Sequence, residues 1–118
     1  IEDFNKAIDL EPTYAAAYGN RGNAYKSLGK YEQAFKDYNK VIELSPNDFL
    51  AYSNRGALYS DLGQYEFALE DFNKTIELNS KFAPAYYNRG ISYQALGKTT
   101  EAEADFKKYE ELTGQELP

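Results

Sequence analysis

The sequence contains no cysteine, histidine, methionine or tryptophan. Without cysteine and histidine, the chain has no thiolate nucleophile, no imidazole base and no donors for the usual zinc or haem sites, and it forms no disulfide. Carboxylates remain as potential calcium or magnesium ligands, but no segment has the spacing of a calcium-binding loop. We therefore expect a chain that is not an enzyme and that holds no cofactor.

Positive charge is also scarce. Thirteen Lys and Arg stand against nineteen Asp and Glu, which gives a net charge of −6. The two signs are interspersed, whereas nucleic-acid binding requires clustered basic residues, so we expect no nucleic-acid partner. No apolar run reaches the length of a membrane span, so we expect no membrane partner. The chain opens at Ile1, as expected of a cut or processed N-terminus, and the compartment stays undetermined beyond a cytoplasmic default.

Aromatic residues, by contrast, are abundant, with twelve Tyr and seven Phe. Many of them recur with a period of 34 residues, together with asparagine, arginine and glycine. The recurring sets are Tyr18, Asn20, Arg21, Gly22, Tyr25, Leu28 and Gly29; Tyr52, Asn54, Arg55, Gly56, Tyr59, Leu62 and Gly63; and Tyr86, Asn88, Arg89, Gly90, Tyr93, Leu96 and Gly97. A fixed period of this length is typical of a solenoid of stacked repeats.

Each copy is predicted to contain two helices. In the first copy, apolar residues recur at helical spacing from Tyr18 to Leu28, and Gly29 ends the helix in the left-handed conformation. A second helix has one apolar face from Ala34 to Leu44 and stops before Pro46. Small residues should let the two helices approach closely, with each glycine of the first helix opposite an alanine of the second. The expected pairs are Gly22–Ala34, Gly56–Ala68 and Gly90–Ala102.

These features together resemble the tetratricopeptide repeat (TPR): a small residue within the first helix, an aromatic residue three positions later, a Leu-Gly turn, an alanine in the second helix and a terminal proline. The resemblance covers residues 1–114. It implies an all-α fold, a right-handed α-solenoid or superhelix of antiparallel helix pairs. The departures are Tyr for the more usual Trp at Tyr18, Tyr52 and Tyr86, and Arg for Leu at Arg21, Arg55 and Arg89.

The repeat boundaries follow from this alignment. Residues 1–12 match only the second helix of a truncated N-terminal repeat, and we expect their apolar face to be bare. Glu110 and Gly114 replace an isoleucine and a proline in the last copy, which is typical of a polar C-terminal cap. The predicted segments after 1–12 are repeat 1 at 13–48, repeat 2 at 49–82, repeat 3 at 83–114 and a tail at 115–118.

In similar repeat arrays the first helix of each pair lines a concave face that binds peptides. Asn20, Asn54 and Asn88 fall one per repeat on this predicted face. An amide both donates and accepts, so such a ladder can pair with the peptide groups of an extended chain. Alternatively, each asparagine caps or braces its own repeat. The residues predicted to bind peptide on the concave face are Asn20, Asn23, Asn54, Asn88, Lys26, Leu50, Tyr87 and Ile91.

One TPR subfamily holds the acidic C-terminal tail of heat-shock chaperones in a carboxylate clamp made of lysine, arginine and asparagine. Asn23 and Asn54 match the asparagines of that clamp, but Gly19, Pro84 and Asn88 occupy the cationic positions. Because the cations that would neutralise a terminal carboxylate are missing, we expect no binding of that tail.

The repeated arginines Arg21, Arg55 and Arg89 have two interpretations. They either pair with repeated acids and brace the stack, or form a row of contacts for an acidic ligand, and we favour bracing. The candidate acids are Asp37, Asp71 and Asp105.

The leading functional hypothesis is a protein–protein interaction scaffold that binds an extended peptide or partner segment in the concave groove. The alternative is a self-assembly module within a longer repeat protein, because the bare face of residues 1–12 would allow a homo-oligomer. If a longer parent chain carried an enzyme domain, this segment would still supply recognition rather than chemistry.

Overall fold

A computed structural model of the chain describes residues 1–117, and within that range it contains seven α-helices and no strand. The all-α prediction is therefore confirmed. The helices are α1 (Glu2–Leu10), α2 (Ala15–Ser27), α3 (Tyr31–Leu44), α4 (Phe49–Asp61), α5 (Tyr65–Leu78), α6 (Ala83–Ala95) and α7 (Thr99–Thr113). The chain divides into two compact units, Ile1–Arg55 and the part from Gly56 onward. Of the predicted tail, residue 118 lies outside the described range.

The turn after α2 shows why that helix ends where the sequence predicts. Gly29 has a φ of +76°, a conformation that costs a residue with a Cβ roughly 1–2 kcal/mol. The N–H of Lys30 donates to the carbonyl of Tyr25 (2.8 Å), and the N–H of Gly29 donates to the carbonyl of Lys26 (3.0 Å). These two bonds form a Schellman motif, which satisfies carbonyls at the helix end. The turns after α4 and α6 repeat the same pattern.

In the first unit, α2 packs against α3 on one side and against α1 on the other. Gly22 is buried where α2 meets α3. A Cβ built on Gly22 would lie 2.8 Å from Cε1 of Tyr38 and 3.2 Å from Cβ of Asp37. The ring of Tyr38 therefore leaves no room for a side chain at Gly22.

The second unit repeats this packing, with α6 between α5 and α7. A Cβ on Gly56 would approach the ring of Phe72 to 2.9 Å, and one on Gly90 would approach the ring of Phe106 to 2.6 Å. Phe72 is fully buried, as are Leu58 and Ala68, so the ring against Gly56 belongs to the core of this unit. No helix among residues 1–117 has the length and apolarity needed to cross a membrane.

Candidate functional site

The first unit contains a cavity of about 220 Å³, which we call the first-unit groove. Its walls come from α2, α3 and the first half of α4, together with the residue that precedes α4. The lining residues are Ala15, Ala16, Gly19, Asn20, Asn23, Val41, Asp48, Leu50, Ala51 and Asn54. Small residues make up much of the α2 wall, and the three asparagines supply most of the polar side chains.

Asn20, Asn23 and Asn54, which were predicted to bind peptide, thus lie together in one groove, and Leu50 lies with them. Asn20 and Asn23 are exposed, and Asn54 is half-buried. Within residues 1–117, the side-chain amides of Asn20 and Asn54 form no hydrogen bond to the protein. Both amides keep donors and acceptors for another molecule.

Asn23 differs from its neighbours because a buried residue holds it. The hydroxyl of Tyr38 donates to Oδ1 of Asn23 at 2.6 Å, and Tyr38 is only 1% exposed. Burial is the larger cause that raises the pKa of Tyr38 to about 12, and the nearby charge of Asp37 is the smaller one. Sequence reasoning placed Tyr38 in the core and missed this contact. One signal in the sequence could have indicated the contact: phenylalanine stands at the equivalent positions, Phe72 and Phe106, so only Tyr38 carries a hydroxyl.

Asp48 lines the first-unit groove, and sequence reasoning missed it. It stands immediately before α4, and its Oδ1 accepts the backbone N–H of Leu50 at 3.0 Å. This is the bond of a helix N-cap, for which aspartate is among the preferred residues. The carboxylate of Asp48 is the one formal charge among the residues that line the first-unit groove, and it makes that groove unfavourable for anions.

The second unit contains a cavity of about 230 Å³, which we call the second-unit groove. It brings together three residues predicted to bind peptide: Tyr87, Asn88 and Ile91. The full lining is Ala57, Ser60, Asp61, Phe72, Tyr87, Asn88 and Ile91. Like Asn20 and Asn54, Asn88 makes no side-chain hydrogen bond within the described part of the chain. Ala57 and Ile91 of this groove occupy the positions equivalent to Asn23.

Tyr87 and Ile91 also border a third cavity of about 200 Å³, whose other lining residues are Gln94, Phe106 and Leu117. The ring of Tyr87 lies 5.8 Å from that of Phe106 and 5.4 Å from that of Tyr109, measured between ring centroids. Such tilted pairs hold an aromatic side chain in place. Lys26, the remaining residue predicted to bind peptide, is half-buried on α2 and does not line the first-unit groove.

Arg21 braces the first unit, which confirms the favoured interpretation for this residue. Its Nε and Nη2 donate to the two carboxylate oxygens of Asp37 at 2.9 and 2.7 Å, and Nη1 donates to Asn5 of α1 at 2.9 Å. The guanidinium also lies over the rings of Tyr18 and Tyr25, at 5.6 and 5.7 Å from their centroids. The hydrogen bond to Asp37 raises the pKa of Arg21, against an opposing effect of burial.

Arg89 repeats this arrangement in the second unit, where it donates to both oxygens of Asp105 at 2.8 and 2.6 Å and to Asn73 at 3.0 Å. In the first unit, Nη1 of Arg55 donates to Asn39 at 2.9 Å. Each arginine thus contacts an asparagine sixteen positions earlier. These three bonds place Asn5, Asn39 and Asn73 in bracing roles, which the sequence prediction did not assign to them. Among residues 1–117, no three carboxylates are grouped so that they could hold a metal ion.

Comparison with family models gives the same description over most of the chain. A model described as TPR repeat matches residues 22–63, and one described as tetratricopeptide repeat matches residues 49–82. Another tetratricopeptide repeat model matches residues 4–36 and 72–104, which together are more than half of the chain. Among curated proteins, the uncharacterized protein MJ0572 of Methanocaldococcus jannaschii is 50% identical over 34 residues, which are 29% of this chain and 40% of that protein.

Solved structures resemble the chain over nearly its whole length. A crystal structure of MamA protein matches with a TM-score of 0.87 and 30% identity, over 96% of this chain and 62% of MamA. The first TPR of Spaghetti (RPAP3), bound to the HSP90 peptide SRMEEVD, matches with a TM-score of 0.84 and 31% identity, over 87% of this chain and 82% of that domain. The second TPR of the same protein, bound to the same peptide, matches with a TM-score of 0.81 and 30% identity, over 95% of this chain and 99% of that domain. The chain thus spans about three fifths of that MamA structure and two fifths of MJ0572.

Proposed function

The chain belongs to the tetratricopeptide repeat family, whose all-α solenoid fold is that of a protein-interaction scaffold, and from this we propose that it binds an extended peptide segment of a partner protein in grooves of this kind. A segment in the first-unit groove would lie against α2 and α4, and a segment in the second-unit groove would lie against α6. The chain contributes recognition, and no step of chemistry is assigned to it.

The observation that carries this proposal is the contrast between two sets of asparagines. The side-chain oxygens of Asn39 and Asn73 accept hydrogen bonds from arginines of the following repeat. Asn20, Asn54 and Asn88 line the grooves, and their amides have no protein partner among residues 1–117. An amide with an unused donor and acceptor on a concave surface can pair with both groups of a peptide unit. These asparagines therefore support the binding interpretation over the bracing one.

The two peptide-bound TPR domains among the structural neighbours support a peptide as the class of ligand. The HSP90 peptide bound to both domains ends in two glutamates, a valine and an aspartate. We expect this chain to bind that acidic peptide weakly, because Gly19, Pro84 and Asn88 offer no positive charge. The carboxylate of Asp48 in the first-unit groove adds repulsion. A neutral or basic segment fits the first-unit groove better.

Self-assembly through residues 1–12 is not favoured. Helix α1 packs against α2, and Asn5 accepts a hydrogen bond from Arg21. That side of α1 is therefore covered by the chain itself. The neighbours bound to peptide add support for binding a partner and none for docking a second copy.

Panning a library of random linear peptides, displayed on phage, against the immobilised chain tests the proposal. We expect enrichment of linear peptides that are neutral or basic. A triple variant with Asn20, Asn54 and Asn88 changed to alanine should fail to enrich them, while its circular dichroism spectrum stays helical. Failure of the unaltered chain to enrich any peptide, or equal enrichment by the triple variant, would contradict the proposal.

A further inference from the structure

The hydroxyl of Tyr38 stands directly behind the first-unit groove. Tyr38 belongs to α3 and is 1% exposed, whereas Asn23 belongs to α2, is exposed and lines the groove. The 2.6 Å bond runs from the buried hydroxyl to Oδ1 of the exposed amide. The buried Tyr38 thus holds the side-chain amide of Asn23 through the amide oxygen and leaves the amide nitrogen unengaged by this bond.

This bond decides which end of the amide is left for a ligand. With Oδ1 engaged by the hydroxyl, Asn23 keeps its two Nδ2 hydrogens for another partner. If the amide turned over, Nδ2 would face the hydroxyl, and the buried O–H of Tyr38 would lose its acceptor. An unpaired buried donor is unfavourable, so the amide is kept with its donors available.

The hydroxyl is a dependable donor at neutral pH. Burial raises the pKa of Tyr38 to about 12, and the adjacent Asp37 carboxylate acts in the same direction. Asp37 itself is engaged by Arg21 through both carboxylate oxygens, so it does not compete with Asn23 for the hydroxyl proton. Within residues 1–117, the hydroxyl donates this proton to the amide of Asn23.

The other repeats supply an internal comparison. At the position of Tyr38 the second repeat has Phe72, and at the position of Asn23 it has Ala57. Both line the second-unit groove, where the equivalent wall is apolar. The third repeat likewise has a phenylalanine and an isoleucine at these two positions. The hydroxyl and the amide therefore occur together in one repeat and are both missing from the other two.

We propose that Tyr38 is a positioning residue, which orients Asn23 so that the first-unit groove presents N–H donors to an accepting oxygen of the bound peptide. This inference rests on the proposed function and adds to it the chemistry of one subsite. We expect this oxygen to be a main-chain carbonyl. A carboxylate also accepts from an amide N–H, but Asp48 makes the same groove unfavourable for it.

Tyr38→Phe is the informative substitution, since phenylalanine at this position is compatible with the same packing in the other two repeats. Using a peptide selected by panning on the unaltered chain, we expect Tyr38→Phe and Asn23→Ala each to weaken binding by about fivefold. The double variant should bind no more weakly than either single one, because both changes remove the same oriented donor. The midpoint of thermal unfolding of Tyr38→Phe serves as the control for folding.

A second measurement reports on orientation without a ligand. In ¹⁵N–¹H spectra, the side-chain amide signals of Asn23 should move in Tyr38→Phe, while those of Asn20 should not. Unchanged Asn23 signals, or equal peptide affinity of Tyr38→Phe and the unaltered chain, would overturn this inference and leave the proposed function standing. If the unaltered chain selects no peptide, that result contradicts both the proposed function and this inference.

The source of the accepting oxygen is decided by the same peptide with its C-terminus and acidic side chains converted to amides. Affinity that survives this conversion, and stays sensitive to Tyr38→Phe, assigns the subsite to a main-chain carbonyl. Sensitivity that disappears with the conversion assigns it to a carboxylate. An Asn23→Asp variant should weaken binding in either case, because it offers only acceptors.

Discussion

Two glycines of α2 stand in contrasting surroundings. A Cβ at Gly22 would lie 2.8 Å from the ring of Tyr38, whereas one at Gly19 would lie 3.7 Å from Cγ2 of Val41, which is ordinary contact. Packing therefore requires glycine at Gly22, whereas it does not require glycine at Gly19 in the groove. A glycine without such a reason only weakens a helix.

We predict that Gly22→Ala lowers the free energy of unfolding by roughly 1–3 kcal/mol, because the tightly packed ring must shift. Gly19→Ala should instead raise it by up to about 1 kcal/mol through better helix propensity. Urea denaturation followed by circular dichroism measures both. A change of the same sign in the two variants would contradict the assigned role of the ring.

Tyr38 also makes a prediction about alkaline pH. Its pKa is about 12 in the folded chain, against an ordinary value of 10.0. The folded state thus keeps a proton that the unfolded state releases, so this contribution to stability is present below pH 10 and is lost as the pH rises toward 12. Compared with Tyr38→Phe, the unaltered chain should lose more stability between neutral pH and about pH 11. Equal losses in thermal melts would show that Tyr38 does not titrate in this way.

At the scale of the helices, the arginines join neighbouring elements. Arg89 of α6 reaches Asp105 of α7 and Asn73 of α5, so one side chain links three helices. Asp105 is only 4% exposed, and a carboxylate so buried depends on its partner. The guanidinium of Arg89 also lies over the rings of Tyr86 and Tyr93, at 5.6 and 5.8 Å from their centroids.

We predict that Arg89→Leu destabilises the chain by roughly 2–3 kcal/mol, because it leaves the Asp105 carboxylate buried without its charged donor. The double variant Arg89→Leu/Asp105→Leu should recover part of that loss, since a buried pair can be replaced by apolar residues at little cost. Chemical denaturation of both single variants and the double variant gives the coupling. Strictly additive losses would mean that the pair does not act as a unit.

At the scale of the molecule, the proposed function gives recognition to one set of asparagines, and the hydrogen bonds to arginine give bracing to another. Asn54 lines the first-unit groove and has no protein partner among residues 1–117, whereas Asn39 accepts a bond from Arg55. The two residues belong to the same unit, so they form a matched pair of test positions.

We predict that Asn54→Ala weakens the affinity for a selected peptide by roughly 1 kcal/mol, with a nearly unchanged midpoint of thermal unfolding. Asn39→Ala should do the reverse, lowering the midpoint and leaving the affinity unchanged. Isothermal calorimetry and thermal melts of the two variants measure both quantities. The opposite assignment of effects would make Asn54 a bracing residue.

The sequence by itself determined the helical pairs, their ends and the family. These features depend on local properties that repeat: the left-handed glycine after each first helix, the spacing of apolar residues and the 34-residue period. It also indicated the groove asparagines, because their positions on a helix follow from its 3.6-residue turn. The bracing acids Asp37 and Asp105 were predicted from the same geometry.

Only the tertiary structure decided which side chains meet between helices. It showed that the ring of Tyr38 lies closest to Gly22, that Asn5, Asn39 and Asn73 brace arginines, and that the Tyr38 hydroxyl holds Asn23. The physical reason is that a helical period specifies the face on which a residue lies. It leaves open the rotamer and the angle between helices, and these set every contact across a helix pair.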